Sequence, residues 1–299
     1  MLYSMLEKSA GFYSMLFFAI NHYLYAKQNN IDFTIVSHEW LYKYKDGWSD
    51  YFKNIDVHTF NTDSHITLRH HQPIGSFTIT EYKNIIPDVY KYNSVTEKYI
   101  YDTKKRIGLL DKKYDSLFIR RGDKLASESP YIPTEKYIEI LLQKNMDCKT
   151  IFLQTDDYNS YIDLQNYIQK HNLNIEIITI CHENTKGGMI IYNMNKEGID
   201  WALKNNVDNK EYISTVIKDL QESVAMDCLD NQQMYNHTIE LLAGIEIVLK
   251  SQNCVCDYSS NVARFIKLAH ENMSSVFNVL SPDSEIDMTR TTCPAFELL

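Results

Sequence analysis

TIFLQTDDYNSYIDLQNYIQKHNLNIEIITIC, residues 150–181, decides the fold. Residues 150–155 (TIFLQT) and 175–181 (IEIITIC) are short apolar runs rich in β-branched side chains. Residues 158–171 between them have the length and apolar spacing of a helix. Two such strands joined by a helix form a βαβ unit, with parallel strands and a right-handed crossover. The rhythm continues outward. Residues 116–120 (SLFIR), 253–257 (NCVCD) and 276–280 read as strands, and 134–145, 232–250 and 261–272 as helices. Pro133, Thr134 and Glu135 open the 134–145 helix in the usual way. Residues 182–209 read as a loose stretch and 210–226 as a further helix. The sum is an α/β fold with a parallel sheet covered on both faces.

The first 110 residues are also mixed α/β. Residues 11–29 form a helix with a broad apolar stripe, 32–37 (DFTIVS) a strand, 55–60 and 64–69 strand-like pieces, and 94–110 a charged helix. Residues 69–73 (RHHQP) read as a loop. A chain of 299 residues is long for one core, so two domains are expected, 1–110 and 111–299.

Composition excludes several classes. Hydrophobic residues at 44% and charged ones at 23% describe a globular protein. The charge sum, 30 − 39 = −9, makes the chain a poor general binder of nucleic acid or anionic membrane. Any phosphate site must then be a local basic cluster. Neither a dinucleotide glycine fingerprint nor a Walker loop occurs among the 9 glycines. The six cysteines form no paired C-x-x-C clusters and read as reduced core thiols. The apolar stretch 12–26 contains Asn21 and His22 and is too short and polar to span a bilayer, so a cytoplasmic protein without a transmembrane segment is expected.

Ligands of parallel sheets bind beyond the carboxyl ends of the strands. Three loops there are polar in a specific way. Arg120-Arg121-Gly122-Asp123-Lys124 ends the 116–120 strand and offers guanidinium groups to a diphosphate, or else forms a surface ion-pair cluster. Gln154-Thr155-Asp156-Asp157 ends the next strand; its acids either cap the following helix or orient an arginine of the first loop. Asp257-Tyr258-Ser259-Ser260-Asn261 opens a helix carrying Arg264 and combines hydroxyls with N-terminal N–H groups, as an anion site or an ordinary cap.

Residues 118–138 (FIRRGDKLASESPYIPTEKYI), 152–157 (FLQTDD) and 239–271 resemble, in order, the three motifs of the α1,6-fucosyltransferases, the NodZ and core-fucosylation group. The match spans about half the chain. The resemblance implies a GT-B-like fold of two α/β domains, with a Rossmann-like nucleotide-sugar domain at 111–299 and an acceptor-side domain at 1–110. It implies an inverting, metal-independent transfer of fucose from GDP-fucose to a glycan hydroxyl, with no further cofactor. Arg120 would stabilise the departing diphosphate, supported by Arg121, and Asp123 would join its polar network. Lys124 would relay a proton and Glu128 would act as the acceptor-side base. Asp156 and Asp157 would be the paired acids of the second motif, Glu246 the guanine-binding acid, and Ser259 and Ser260 the phosphate-side serines. Phe118 replaces a histidine of the core-fucosylating members, and Glu246 is longer than the family's aspartate. The same fold with another nucleotide sugar or an α1,2 linkage is the alternative, as is a catalytically inactive glycan- or nucleotide-binding module. His22, His38, His70 and His71 lie in the acceptor-side half, as do Trp40 and Trp48, where packing competes with sugar stacking.

Overall fold

The computed structural model describes residues 1–8, 10–55, 66–69, 77–122, 131–185, 196–205, 213–214, 217–218 and 225–287. The chain divides into two units, one of Met1–Tyr99, Asp230–Leu241 and Glu285–Leu299, the other of Ile100–Leu229 and Leu242–Ser284. No helix among the described residues is long and apolar enough to cross a membrane.

The first unit holds a parallel sheet of β1 (Leu2–Met5), β2 (Phe33–Val36) and β3 (Ile66–Leu68), with β1 in the middle. Helix α1 (Phe12–Gln28) connects β1 to β2 and buries nearly its whole circumference, which explains its broad apolar stripe. Helix α2 (Ile79–Val89) starts with a capping box in which Thr78 and Glu81 satisfy each other's backbone N–H groups. Strand β1 and helix α2 add to the sequence expectation; the residues 56–60 of one expected strand lie outside the described residues.

Trp40 and Trp48 are packing residues, 2% and 4% exposed. Phe12 sits 5.0 Å from Trp40, and Phe52 stacks on Trp48 at 4.4 Å. Tyr235, far along the chain, stacks on Tyr51 at 5.5 Å and lies tilted against Tyr44 at 4.7 Å. The turn beneath this cluster needs glycine at 47: φ is +76° there, and a Cβ would lie 2.3 Å from Ser37 Oγ. Backbone N–H groups of Tyr44, Asp46 and Gly47 converge on the Asp50 carboxylate at 2.8–3.0 Å, a nest filled by the chain's own anion.

His22 of α1 is fully buried and shares a 2.8 Å hydrogen bond with Ser4 Oγ of β1. Burial pushes its pKa down to about 4. The folded protein therefore resists a proton that the unfolded chain accepts below pH ~6.5, and stability falls as pH drops through that window. The expected loss is about 3 kcal/mol between pH ~6.5 and ~4. Urea unfolding at neutral and acid pH measures it, and His22→Leu should flatten the slope; an unchanged slope in the variant assigns the loss to other groups.

The second unit is built on five parallel strands, β4 (Asp115–Ile119), β5 (Thr150–Thr155), β6 (Glu176–Thr179), β7 (Cys254–Cys256) and β8 (Val276–Asn278), in the order β6-β5-β4-β7-β8. Every residue of β4, β5 and β7 is buried, as expected of strands covered on both faces. Around them run α3 (Ser94–Arg106), which begins in the first unit, then α4 (Thr134–Lys144), α5 (Tyr158–Lys170), α6 (Lys196–Asn205), α7 (Asn231–Leu249), whose first part also belongs to the first unit, and α8 (Asn261–Ala269). Helix α6 corrects the expectation of a loose stretch over 182–209, while most of the helix expected over 210–226 lies outside the described residues. The core between sheet and helices includes Leu117, Ile119, Ile138, Leu141, Leu153 and Val255. Helix α7 approaches β5 so closely at Gly244 that a Cβ would lie 1.9 Å from Gln154 Oε1. Cys148, Cys254 and Cys256 are buried thiols as expected, but Cys181 is partly exposed and Cys228 exposed.

The chain runs β4, β5, β6 outward on one side and then returns to place β7 and β8 on the other. That makes the carboxyl ends of β4 and β7 the topological switch point, where open α/β sheets bind ligands.

Candidate active site

Arg120 follows β4 directly, and its guanidinium is ion-paired with Asp156, which follows β5. Asp156 also accepts the Arg121 backbone N–H at 2.8 Å. The carboxylate thus holds the arginine from both side chain and backbone. One fifth of the Arg120 side chain meets solvent, and about one tenth of that of Asp156. Of the two roles open to Asp156, orienting an arginine is the one it performs. Asp157 performs the other: fully buried, it caps α5 by accepting from the Asn159 backbone at 3.1 Å.

Arg121 turns inward. It is 1% exposed, donates to Ile132 O at 2.9 Å and Thr134 Oγ1 at 3.1 Å, and lies 4.6 Å from the centre of the Tyr131 ring. Thr134 in turn donates to Asp163 at 3.2 Å, and burial raises that carboxyl's pKa. Gly122, at φ +61°, turns the chain away just after the two arginines. Arg121 therefore ties residue 121 to residues 132 and 134. Asp123, Lys124 and Glu128 lie outside the described residues.

The third loop starts from β7, whose Cys256 pairs with Phe118 of β4, so the Arg120 and Asp257 loops leave neighbouring strand ends. Ser260 caps α8 by accepting from the Ala263 N–H at 3.1 Å. The Ser259 hydroxyl donates to Asp257 at 2.5 Å. Arg264 is buried and fixes the turn, donating to Ser259 O at 3.1 Å and Asn261 Oδ1 at 2.8 Å. Tyr137 of α4 is fully buried, and burial raises its phenol pKa.

Arg120, Arg121, Asp156, Asp157, Ser259 and Ser260 thus come together at one sheet edge. Glu246 does not join them. It sits on the last turns of α7, 4.0 Å from Lys250, with its carboxyl pKa raised by burial. It acts electrostatically on Tyr114, which precedes β4 and donates to Ile247 O at 2.8 Å. That is the amino edge of the sheet, opposite Arg120. The position followed from motif spacing, but a crossover helix runs antiparallel to its strands and leaves its last turns at the amino edge. Arg264 joins the Arg120 edge through Ser259 and Asn261. Arg264 was visible in sequence beside the serines.

No protein-family model matches the chain, and no curated protein matches it. Solved structures do. A crystal structure of NodZ alpha-1,6-fucosyltransferase soaked with GDP-fucose aligns with a TM-score of 0.52 at 9% identity, over 95% of this chain and 96% of that one. A structure of fucosyltransferase NodZ from Bradyrhizobium aligns with a TM-score of 0.52 at 9% identity, over 89% and 92% of the two chains.

Proposed function

Because this chain has the α/β fold of the NodZ fucosyltransferases along nearly its whole length, we propose that it is an inverting glycosyltransferase moving fucose from GDP-fucose to a glycan hydroxyl. The observation that carries this reading is the Arg120–Asp156 pair at the switch-point edge, beside the α8 N-terminus. Breaking a sugar–phosphate bond leaves negative charge on the diphosphate. A guanidinium already oriented by Asp156 stabilises that charge without reorganising, the general basis of electrostatic catalysis. The N–H groups at the start of α8 favour the same anion. Lys124 and Glu128 are proposed as proton relay and acceptor-side base, and Asp123 as part of the polar network. A carboxylate near the acceptor hydroxyl would contribute roughly 10²–10⁴-fold. We assign nucleotide binding to 111–299 and acceptor contacts mainly to 1–110, and propose a cytoplasmic, metal-independent reaction. Glu246 has no part in this donor site.

Calorimetry in EDTA with GDP, GDP-fucose, UDP and UDP-glucose tests the reading. Guanosine nucleotides should bind and the uridine ones should not. Preference for UDP would reject the donor, and loss of transfer in EDTA would reject the metal-free chemistry. Tight GDP binding with no turnover on any glycan would make the chain a binding module instead.

A further inference from the structure

The first unit carries a pocket of about 140 Å³ on the outer side of β2. Among the described residues β2 pairs with β1 alone, so its other edge borders the pocket. The Leu2 and Leu6 N–H groups donate to Asp32 O and Val36 O at 2.6 and 2.8 Å. Even-numbered residues of β2 thus turn their main-chain groups toward β1, and Ile35 between them turns its N–H and C=O toward the pocket it lines. Thr34, Ser37, Asp46, Ser49 and Asn54 add hydroxyls, one amide and one carboxylate. Ile35, Ile55 and what remains exposed of Trp48 supply apolar surface.

Hydrogen bonds hold these walls in place before anything enters. The Trp48 backbone N–H donates to Ser37 Oγ at 2.8 Å, and its indole N–H to Lys53 O at 3.1 Å. The Asn93 side-chain amide donates to Ser49 O at 2.8 Å, and the Lys53 N–H to Lys91 O at 2.7 Å. A preformed site spends little on ordering when it binds.

The lining selects the ligand class. Among the described residues around the pocket there is no lysine, arginine or histidine, so a phosphate meets no counter-charge there. No group of three or more metal-ligating side chains occurs among the described residues either. What fits is an uncharged molecule that both donates and accepts hydrogen bonds and has an apolar face. With ~30 Å³ per water in the liquid, the volume equals about five waters, enough for one sugar ring. It falls short of the ~300–1,000 Å³ of sites for larger ligands. The switch point of this sheet lies between β1 and β3, on the other side of β1. The pocket is therefore separate from the crevice where such a sheet ordinarily takes its ligand.

We infer that this pocket takes one neutral sugar ring, its hydroxyls shared among the Asp46 carboxylate, the Asn54 amide and the Ile35 main chain. That the ring is a unit of the acceptor glycan rests on the transferase reading.

Trp48, one of three tryptophans, reports on the pocket by fluorine NMR of protein labelled with fluorotryptophan. Its resonance is the one lost in Trp48→Phe. Methyl glucoside, methyl galactoside and methyl mannoside are titrated against it. At least one should shift it at millimolar concentration, and inorganic phosphate should leave it in place. Asn54 is exposed, so Asn54→Leu should keep the melting temperature. It should weaken the glycoside about tenfold, the scale of one lost hydrogen bond, and raise the acceptor KM by a similar factor at unchanged kcat. If no glycoside moves the resonance at hundreds of millimolar, or phosphate moves it equally, the pocket is not a sugar site; GDP binding, which decides the transferase reading, is untouched by that result. If a glycoside binds to a chain that binds no GDP, the sugar site stands and the transferase reading falls. If Asn54→Leu loses the glycoside but keeps its acceptor KM, the ring is not the acceptor's.

Discussion

Arg120→Ala should lower transfer by about 10²–10³-fold, the cost of removing one preorganised donor from a developing oxyanion. The pair with Asp156 makes the effect specific. The arginine is held in place before substrate arrives, so its loss removes stabilisation that water restores poorly at a partly enclosed edge. GDP affinity should fall as well, because a diphosphate product carries the same charge. Arg120→Lys keeps a cation but not the fork, and should recover only part of the rate. Turnover of Arg120→Ala close to wild type would remove the residue from the mechanism. A thermal melt of each variant separates lost catalysis from lost folding.

Arg121→Met should cost about 3–5 kcal/mol of stability, the range for removing one partner of a buried charge network. The apolar stem would still fit, but Ile132 O and Thr134 would lose their donor and the Asp163 region its nearby cation. The methionine also gives up the ring contact with Tyr131. Urea unfolding reads the loss. A cost below about 1 kcal/mol, the level of an exposed pair, would show that the guanidinium is dispensable as a tie. Neighbours in sequence, Arg120 and Arg121 thus fail differently: one in turnover, the other in folding.

Much of the second unit was legible because β4 and β5 are short apolar runs with helical spacing between them, and both faces of the sheet are covered. The loops after those strands were legible for the same reason, since strand ends locate the ligand edge. Strand β1 was not, as LYSM has no alternation and lies at the start of the chain. Helix α2 carries a readable capping box but also Pro87, which argues against a helix there. The inward turn of Arg121 could not be read, because it depends on Gly122 and on acceptors ten or more residues away. Motif spacing put Glu246 near the nucleotide; only the direction of α7 shows which edge it occupies.

The aromatic cluster of the first unit has a consequence for synthesis. Tyr44 and Tyr51 wait for Tyr235, more than 180 residues downstream, before their faces are covered. A nascent chain emerging at the ribosome keeps those rings wet through most of translation, when transiently exposed apolar surface favours aggregation. For the same reason, a recombinant fragment ending near residue 110 would lack the ring that stacks on Tyr51, and crystallisation or binding work on the first unit should use the whole polypeptide.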